Sequence, residues 1–287
     1  MKKYLAVAMA ALLLVCSLAS CASGSDGSIG EYAPEVDYLV QKDEDGNVLG
    51  TFYFDEGEGE TAILRQYVGK KIANDHVKVP AMFGDRVVTA IGKQAFYNLA
   101  AVVSVELPEG LLEIDEYAFA GCTELTEITL PATTVAVKEG AFLGCTALTK
   151  VTVNSSLETI GDKAFNGCTA LGNVDLPAGL ISIGYGAFAF CESMTELIVP
   201  ASVNTIGELA FTDCTGLEKI TFISDATVIE AHAFEHSDGT NLKGQFVLTG
   251  LGADSKVMTY INELPDVESE ETTAGEAETE AVTDPAA

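Results

Sequence analysis

The chain has 287 residues, 48% hydrophobic and 20% charged, enough for one large domain or two small ones around a substantial core. Its 15 basic and 43 acidic side chains give a formal net charge of −28 at pH 7. A field of that sign repels nucleic acid and anionic lipid, which argues against a nucleic-acid partner.

The first element in chain order is an export signal over residues 1–20. Lys2 and Lys3 form a basic n-region, and an apolar run from Leu5 to Val15 leads into small residues. The run is short for a hydrocarbon core of about 30 Å, so a signal fits better than a membrane span. Leu18-Ala19-Ser20-Cys21 resembles a bacterial lipobox. That resemblance implies that Cys21 becomes a lipidated N-terminus, anchored to the outer face of the cell membrane, with residues 21–31 as a Gly/Ser-rich tether. Cys16 is a poorer candidate because bulky Val15 precedes it.

Residues 32–86 read as an N-terminal β cap. "DYLVQKDEDGNVLGTFYF" (37–54) predicts a hairpin around Asp45-Gly46, since Asp-Gly between alternating apolar residues is a strong turn signal. Its "DEDGN" (43–47) has oxygen ligands at alternate positions, as a calcium loop does. Val48 stands where such a loop needs glycine and Phe54 where it needs glutamate, so the hairpin turn is preferred.

Residues 87–249 read as a repeat domain. Phe96, Phe119, Phe142, Phe165, Phe188, Phe211 and Phe234 are spaced by 23 residues at every step. Cys122, Cys145, Cys168, Cys191 and Cys214 keep the same interval, as do Leu125, Leu148, Leu171, Met194 and Leu217. A fixed period without insertion marks stacked supersecondary units, none of which buries its apolar face alone. In "LTEITLP" (125–131), Leu125, Ile128 and Leu130 have the L-x-x-L-x-L spacing of a leucine-rich repeat strand. The preceding "IDEYAFAGC" suits a short strand or bend and then a tight helical turn. The predicted fold is a repeat solenoid: parallel β-strands stacked with short helical turns, closed by a β-hairpin cap and a small C-terminal cap. Ile160, Ala164, Phe165, Cys168, Leu171, Val174 and Leu176 form the inward set of one rung.

The recurring line, I-G-x-x-A-F-x-x-C-x-x-L followed by two aliphatic strand positions and a proline, resembles the BspA-type bacterial surface leucine-rich repeat proteins over residues 87–234. Asp115, Lys138 and Glu230 replace its glycine, Leu99 its first cysteine, and Asn154 and Ile223 its proline. The resemblance implies a surface protein that binds extracellular protein or glycan, as in adhesion. A non-catalytic envelope scaffold or spacer is the alternative.

After Phe234 the period breaks at "EHSDGTNLKG". "QFVLTGL" reads as a last strand, and "ADSKVMTYINEL" as a closing helix of the C-terminal cap, residues 250–264. Residues 265–287 carry eight acids and no base, the composition of a disordered tail.

Few motifs suggest chemistry. His232, Glu235 and His236 in "HAFEH" spell an inverted zincin signature, which leaves a zinc peptidase as a remote alternative. Ala233-Phe234 is, however, the seventh copy of the core pair, so the segment is predicted to be a short turn and not the long helix that motif needs. The five repeat cysteines share one core slot with parallel side-chain directions, which favours buried free thiols over disulfides. Asn154-Ser155-Ser156 is read as a chance glycosylation triplet. No catalytic residue, metal or cofactor is assigned.

Binding is placed on the strand residues that alternate outward. One column reads Ser104, Glu127, Lys150, Asn173, Glu196 and Lys219; the other reads Glu106, Thr129, Thr152, Asp175, Ile198 and Thr221. Together they offer a mixed polar ledge, in which Glu127 beside Lys150 and Glu196 beside Lys219 neutralise each other. Tyr117, Tyr185 and Phe190 fall on turns, as packing residues or as aromatic anchors.

Overall fold

The computed structural model describes residues 38–42, 48–69, 75–224, 226–242, 245–247, 252 and 255–264. The signal (1–20), Cys21 and its tether (21–31), the Asp45-Gly46 turn and the acidic tail (265–287) lie outside the described residues.

The chain is a parallel β-solenoid. At its start, β1 (Tyr38–Lys42) pairs antiparallel with β2 (Val48–Glu56), and β2 with β3 (Thr61–Gly69). From β3 onward the pairing becomes parallel: β3 joins β6 (Arg86–Ile91), which β5 (Met82–Phe83) flanks antiparallel. The ladder then runs through Glu113–Ile114, Ala136–Val137, Thr159–Ile160, Ser182–Ile183, Thr205–Ile206 and Val228–Ile229. Each aliphatic residue lies on its counterpart one repeat away, as Val137 on Ile160 and Ile160 on Ile183. A second face carries the longer strands in two groups. One holds β4 (Asp75–Lys78), β7 (Val102–Glu106), Glu127–Thr129 and Lys150–Thr152; the other holds Glu196–Val199, Lys219–Phe222 and Phe246–Val247.

The third face consists of turns, and these are tight but not helical. Within one rung, the Ala118, Ala120 and Cys122 N–H groups donate to the carbonyls of Asp115, Tyr117 and Phe119 at 3.1–3.2 Å. Between them, the N–H groups of Tyr117, Phe119 and Gly121 donate across to Glu139, Ala141 and Leu143 of the next rung at 2.7–2.8 Å. Left-handed backbone at Tyr117 (φ 55) and Gly121 (φ 75) makes this possible. Each such residue interrupts the helical succession and turns alternate N–H groups sideways. A helix would satisfy those groups inside its own rung and leave this face held by side chains alone.

Phe96, Phe119, Phe142, Phe165, Phe188, Phe211 and Phe234 are buried and stack along the axis with ring centroids 4.8–5.3 Å apart. Tyr67 of β3 continues the column, 5.3 Å from Phe96, with Phe52 beyond it at 4.9 Å. At the other end the stacking turns edge-on. Phe246 and Tyr260 meet Phe234 at 81° and 67°, and the Phe234 N–H donates to the Tyr260 hydroxyl at 3.2 Å. Tyr260 belongs to the closing helix Lys256–Glu263, capped by the Ser255 hydroxyl, which accepts the Met258 N–H at 2.9 Å. Of the inward set, Ile160, Ala164, Phe165, Cys168, Leu171 and Val174 are buried. Leu176 is only half-buried, because the strand that should carry it does not form.

Cys122, Cys145, Cys168, Cys191 and Cys214 are free and buried, and each thiol donates to the phenylalanine carbonyl of the rung before at 3.1–3.3 Å. Burial pushes the Cys122 and Cys191 thiols up. Cys145 is raised by its contact with Cys168 and then by burial, and burial pushes Cys214 up to about 12. The neutral thiol is therefore the form that folding favours. For Cys214 its contribution is complete below the ordinary value of 9.0 and is lost as pH rises through about 12. Iodoacetamide at about pH 8 should leave all five unlabelled in native protein and label all five in guanidinium. Labelling of any one in the native state would contradict a sealed ladder.

Candidate functional site

The strand face sets the outward columns in register. Lys150 lies beside Glu127 and Thr152 beside Thr129; Glu196 lies beside Lys219 and Ile198 beside Thr221. Glu127, Thr129, Lys150, Thr152, Asn173, Asp175, Ile198 and Lys219 are exposed, and Glu196 and Thr221 are half-buried. The Lys219 ammonium meets the Glu196 carboxylate at 2.5 Å. Lys150 and Glu127 are neighbours, but they form no ion pair among the described residues. They border, with Lys78, Glu106, Thr129 and Thr152, a shallow concavity of about 740 Å³ over the first strand group.

The ledge is not continuous. No strand forms across residues 171–177, and Asn173 supplies the reason. Its side-chain carbonyl accepts the Thr195 and Glu196 backbone N–H groups at 2.8 and 2.9 Å, and its amide donates to the Thr195 hydroxyl at 3.2 Å. A side chain thus stands where a backbone carbonyl would pair, which splits the strand face into two sheets. Asn173 belongs to the joint between rungs more than to a docking column. Beside it opens a cleft of about 290 Å³, bordered by Asp175, Leu176, Glu196, Ile198 and Ile223. Ile198 is 48% and Ile223 62% exposed. Ile223 was absent from the outward columns. The available signal was a large apolar residue standing in the strand-end proline slot.

On the turn face the aromatics separate by role. Tyr117 donates to the Glu139 carboxylate and its ring covers Gly140, where an added Cβ would lie 2.4 Å from the ring. It is a packing residue. Tyr185 and Phe190 are exposed and line a second cleft, which also reaches "HAFEH".

That segment is a turn with Ala233 and Phe234 in the core and His232 in left-handed backbone (φ 57). His232 Nδ1 lies 3.0 Å from the Glu235 carboxylate, whose hydrogen bond raises the imidazole pKa. His236 faces Asp213 instead, at 3.7 Å. The two histidines attend different carboxylates, and among the described residues no three ligating side chains converge on a metal-sized site. The zincin geometry is absent.

Comparison with known proteins agrees with this architecture. The family model described as "BspA type Leucine rich repeat region" matches in six copies, over residues 89–214 and 136–253. A leucine-rich cell surface protein from Faecalibacterium prausnitzii aligns at 25% identity and a TM-score of 0.50, over 65% of this chain and 55% of its own. This chain thus spans little more than half the length of that protein. A leucine-rich repeat protein of T. pallidum aligns at 20% identity (TM-score 0.42, 79% of this chain and 94% of that one). One from Bacteroides ovatus aligns at 17% (TM-score 0.41, 68% and 80%). No curated protein matches the chain.

Proposed function

The chain belongs to the BspA-type leucine-rich repeat family, and from that premise we propose that it is a bacterial surface scaffold that binds an extracellular protein on its strand face. Export rests on Lys2, Lys3 and the apolar run to Val15, and lipid anchoring on Leu18-Ala19-Ser20-Cys21. The F. prausnitzii relative is itself described as a cell surface protein.

The observation that carries the reading is the pair Ile198 and Ile223, exposed together at the cleft where the sheets part. Around them stand Asp175, Glu196, Lys219 and Thr221. An apolar centre with a polar rim is the usual anatomy of a protein interface. The two strand groups, with the rung that parts them, together extend roughly 30 Å, the scale of a standard footprint of about 800 Å² per partner. The spacer reading draws on the Lys219–Glu196 and Lys78–Glu106 pairs, which quieten the same face.

Immobilised extracellular matrix proteins and envelope fractions, probed with the purified protein, separate the two. Saturable binding should be weakened at least about tenfold by Ile198→Glu, an exposed change that leaves melting unaltered. Specific binding that Ile198→Glu leaves intact would move the interface elsewhere; no saturable binding to any fraction would favour the spacer.

A further inference from the structure

The turn face changes character towards its C-terminal end, and the repeats supply their own control. The position before the core cysteine is glycine at Gly121, Gly144 and Gly167, all left-handed (φ 75, 70 and 73). The next two rungs keep that backbone but fill the position with Phe190 (φ 62) and Asp213 (φ 53). A Cβ is crowded in left-handed backbone, most of all on a bulky residue. Since the sister rungs close with glycine, the rung itself does not require these side chains. Both line one cleft of about 330 Å³, together with Lys163, Leu209 and His232. Two side chains held in unfavourable backbone at one concavity, where the sister rungs carry none, point towards function.

The chemistry of the cleft defines an occupant. Its wall is aromatic, with Tyr185 38% and Phe190 43% exposed. Its floor is polar. Asp213 Oδ1 accepts the Ser237 N–H at 2.8 Å, while Asp213 Oδ2 and His236 Nδ1, both enclosed, have no hydrogen-bond partner among the described residues. His232 lies against Glu235 and His236 against Asp213, and the Lys163 ammonium lies 5.5 Å from the Tyr185 ring centre. The cleft therefore sets an apolar aromatic face beside a carboxylate that takes hydroxyl donors. A pyranose ring has this pair of features, a C–H face and an edge of hydroxyls.

We propose that the cleft formed by Tyr185, Phe190, Asp213 and His236 binds a neutral saccharide of one or two rings. The ring stacks on Phe190 and Tyr185, and its hydroxyls donate to the Asp213 carboxylate as that side chain turns towards the opening. The volume sits at the lower end of small-ligand sites, about 300 Å³. The site lies on the turn face and does not depend on the strand-face reading.

Isothermal titration of the full chain with N-acetylglucosamine, galactose, chitobiose and lactose tests it, with tetralysine as the cationic probe. At least one saccharide should bind. Phe190→Gly restores the residue its sister rungs carry, so it should lower that affinity about tenfold or more while the melting temperature holds or rises. Asp213→Asn, which replaces an acceptor oxygen by a donor, should also weaken binding with the fold intact. The proposal is overturned if none of the four sugars binds up to about 10 mM, or if both variants bind as the parent does. Binding of tetralysine alone, lost in Phe190→Gly, would make the cleft a cation site and overturn it as well.

Discussion

Phe165→Ala is expected to remove about 3–5 kcal/mol of unfolding free energy. Phe165 is fully buried at the middle of the ladder, with Phe142 and Phe188 each 5.2 Å away and nearly parallel to it, at 2° and 13°. Truncation forfeits the burial of one aromatic side chain and two ring contacts, and the rungs above and below cannot collapse without breaking their own hydrogen bonds. In a stacked array each unit is held only by its neighbours, so the loss falls on both central interfaces. Guanidinium unfolding should shift to lower midpoint and broaden, or separate into two steps as the halves uncouple. Far-UV circular dichroism or tyrosine fluorescence follows it, because the chain has no tryptophan. A loss below about 1 kcal/mol would show that the column is not the structural axis.

Gly184→Ala carries the second largest expected effect, about 1–3 kcal/mol destabilising. A Cβ on Gly184 would lie 2.6 Å from the Asp162 backbone nitrogen and 2.7 Å from the Gly161 carbonyl carbon. Neither atom can rotate aside, so the rungs must separate. Gly184 does not occupy left-handed backbone, and in open space alanine there would gain stability through the unfolded chain. The sign of the measured change therefore reports rung spacing directly. Gly144→Ala is the counterpart: its Cβ would meet open space, but its φ of +70 carries the conformational penalty. Unchanged melting in Gly184→Ala would mean that the rungs pack less closely than the structure has them.

These two residues also show how far the repeat could be read in advance. The phenylalanine ladder was legible because position and period coincide: a residue that returns every 23 positions must land on its own copy. The glycine of the same motif was legible as a motif position but not its reason, since Asp115, Lys138 and Glu230 hold its slot in other rungs. Only the stacking shows that Gly161, Gly184 and Gly207 would each thrust a Cβ into the backbone of the rung before. Tyr67 escaped for a related reason. It fills the phenylalanine slot without the surrounding motif, and its aromatic contact with Phe96 is what reveals it.

The candidate sites divide along the same line. Glu127, Lys150, Glu196, Lys219 and Ile198 were assigned to an outward face by alternation alone, and the strands set them there. Alternation could not foresee that Asn173 would accept two N–H groups of the next rung and break the face in two. That outcome depends on one rotamer against one neighbouring backbone. "HAFEH" was correctly read as a turn because the core pair Ala233-Phe234 overrides the motif.

By itself, then, the sequence determined the solenoid, its axis of stacked rings, its buried thiols and the direction of its strands. Each follows from nearest-neighbour identity, which a strict period repeats along the whole array. The tertiary structure alone decided how the turns close, where the strand face divides, and which side chains share a cleft. Those features arise where a rung departs from its neighbours. Phe190 and Asp213 replace glycine, Asn173 replaces a backbone acceptor, and Ile223 replaces proline. What such a departure does is set by the rungs packed above and below it, which a single line of residues does not contain.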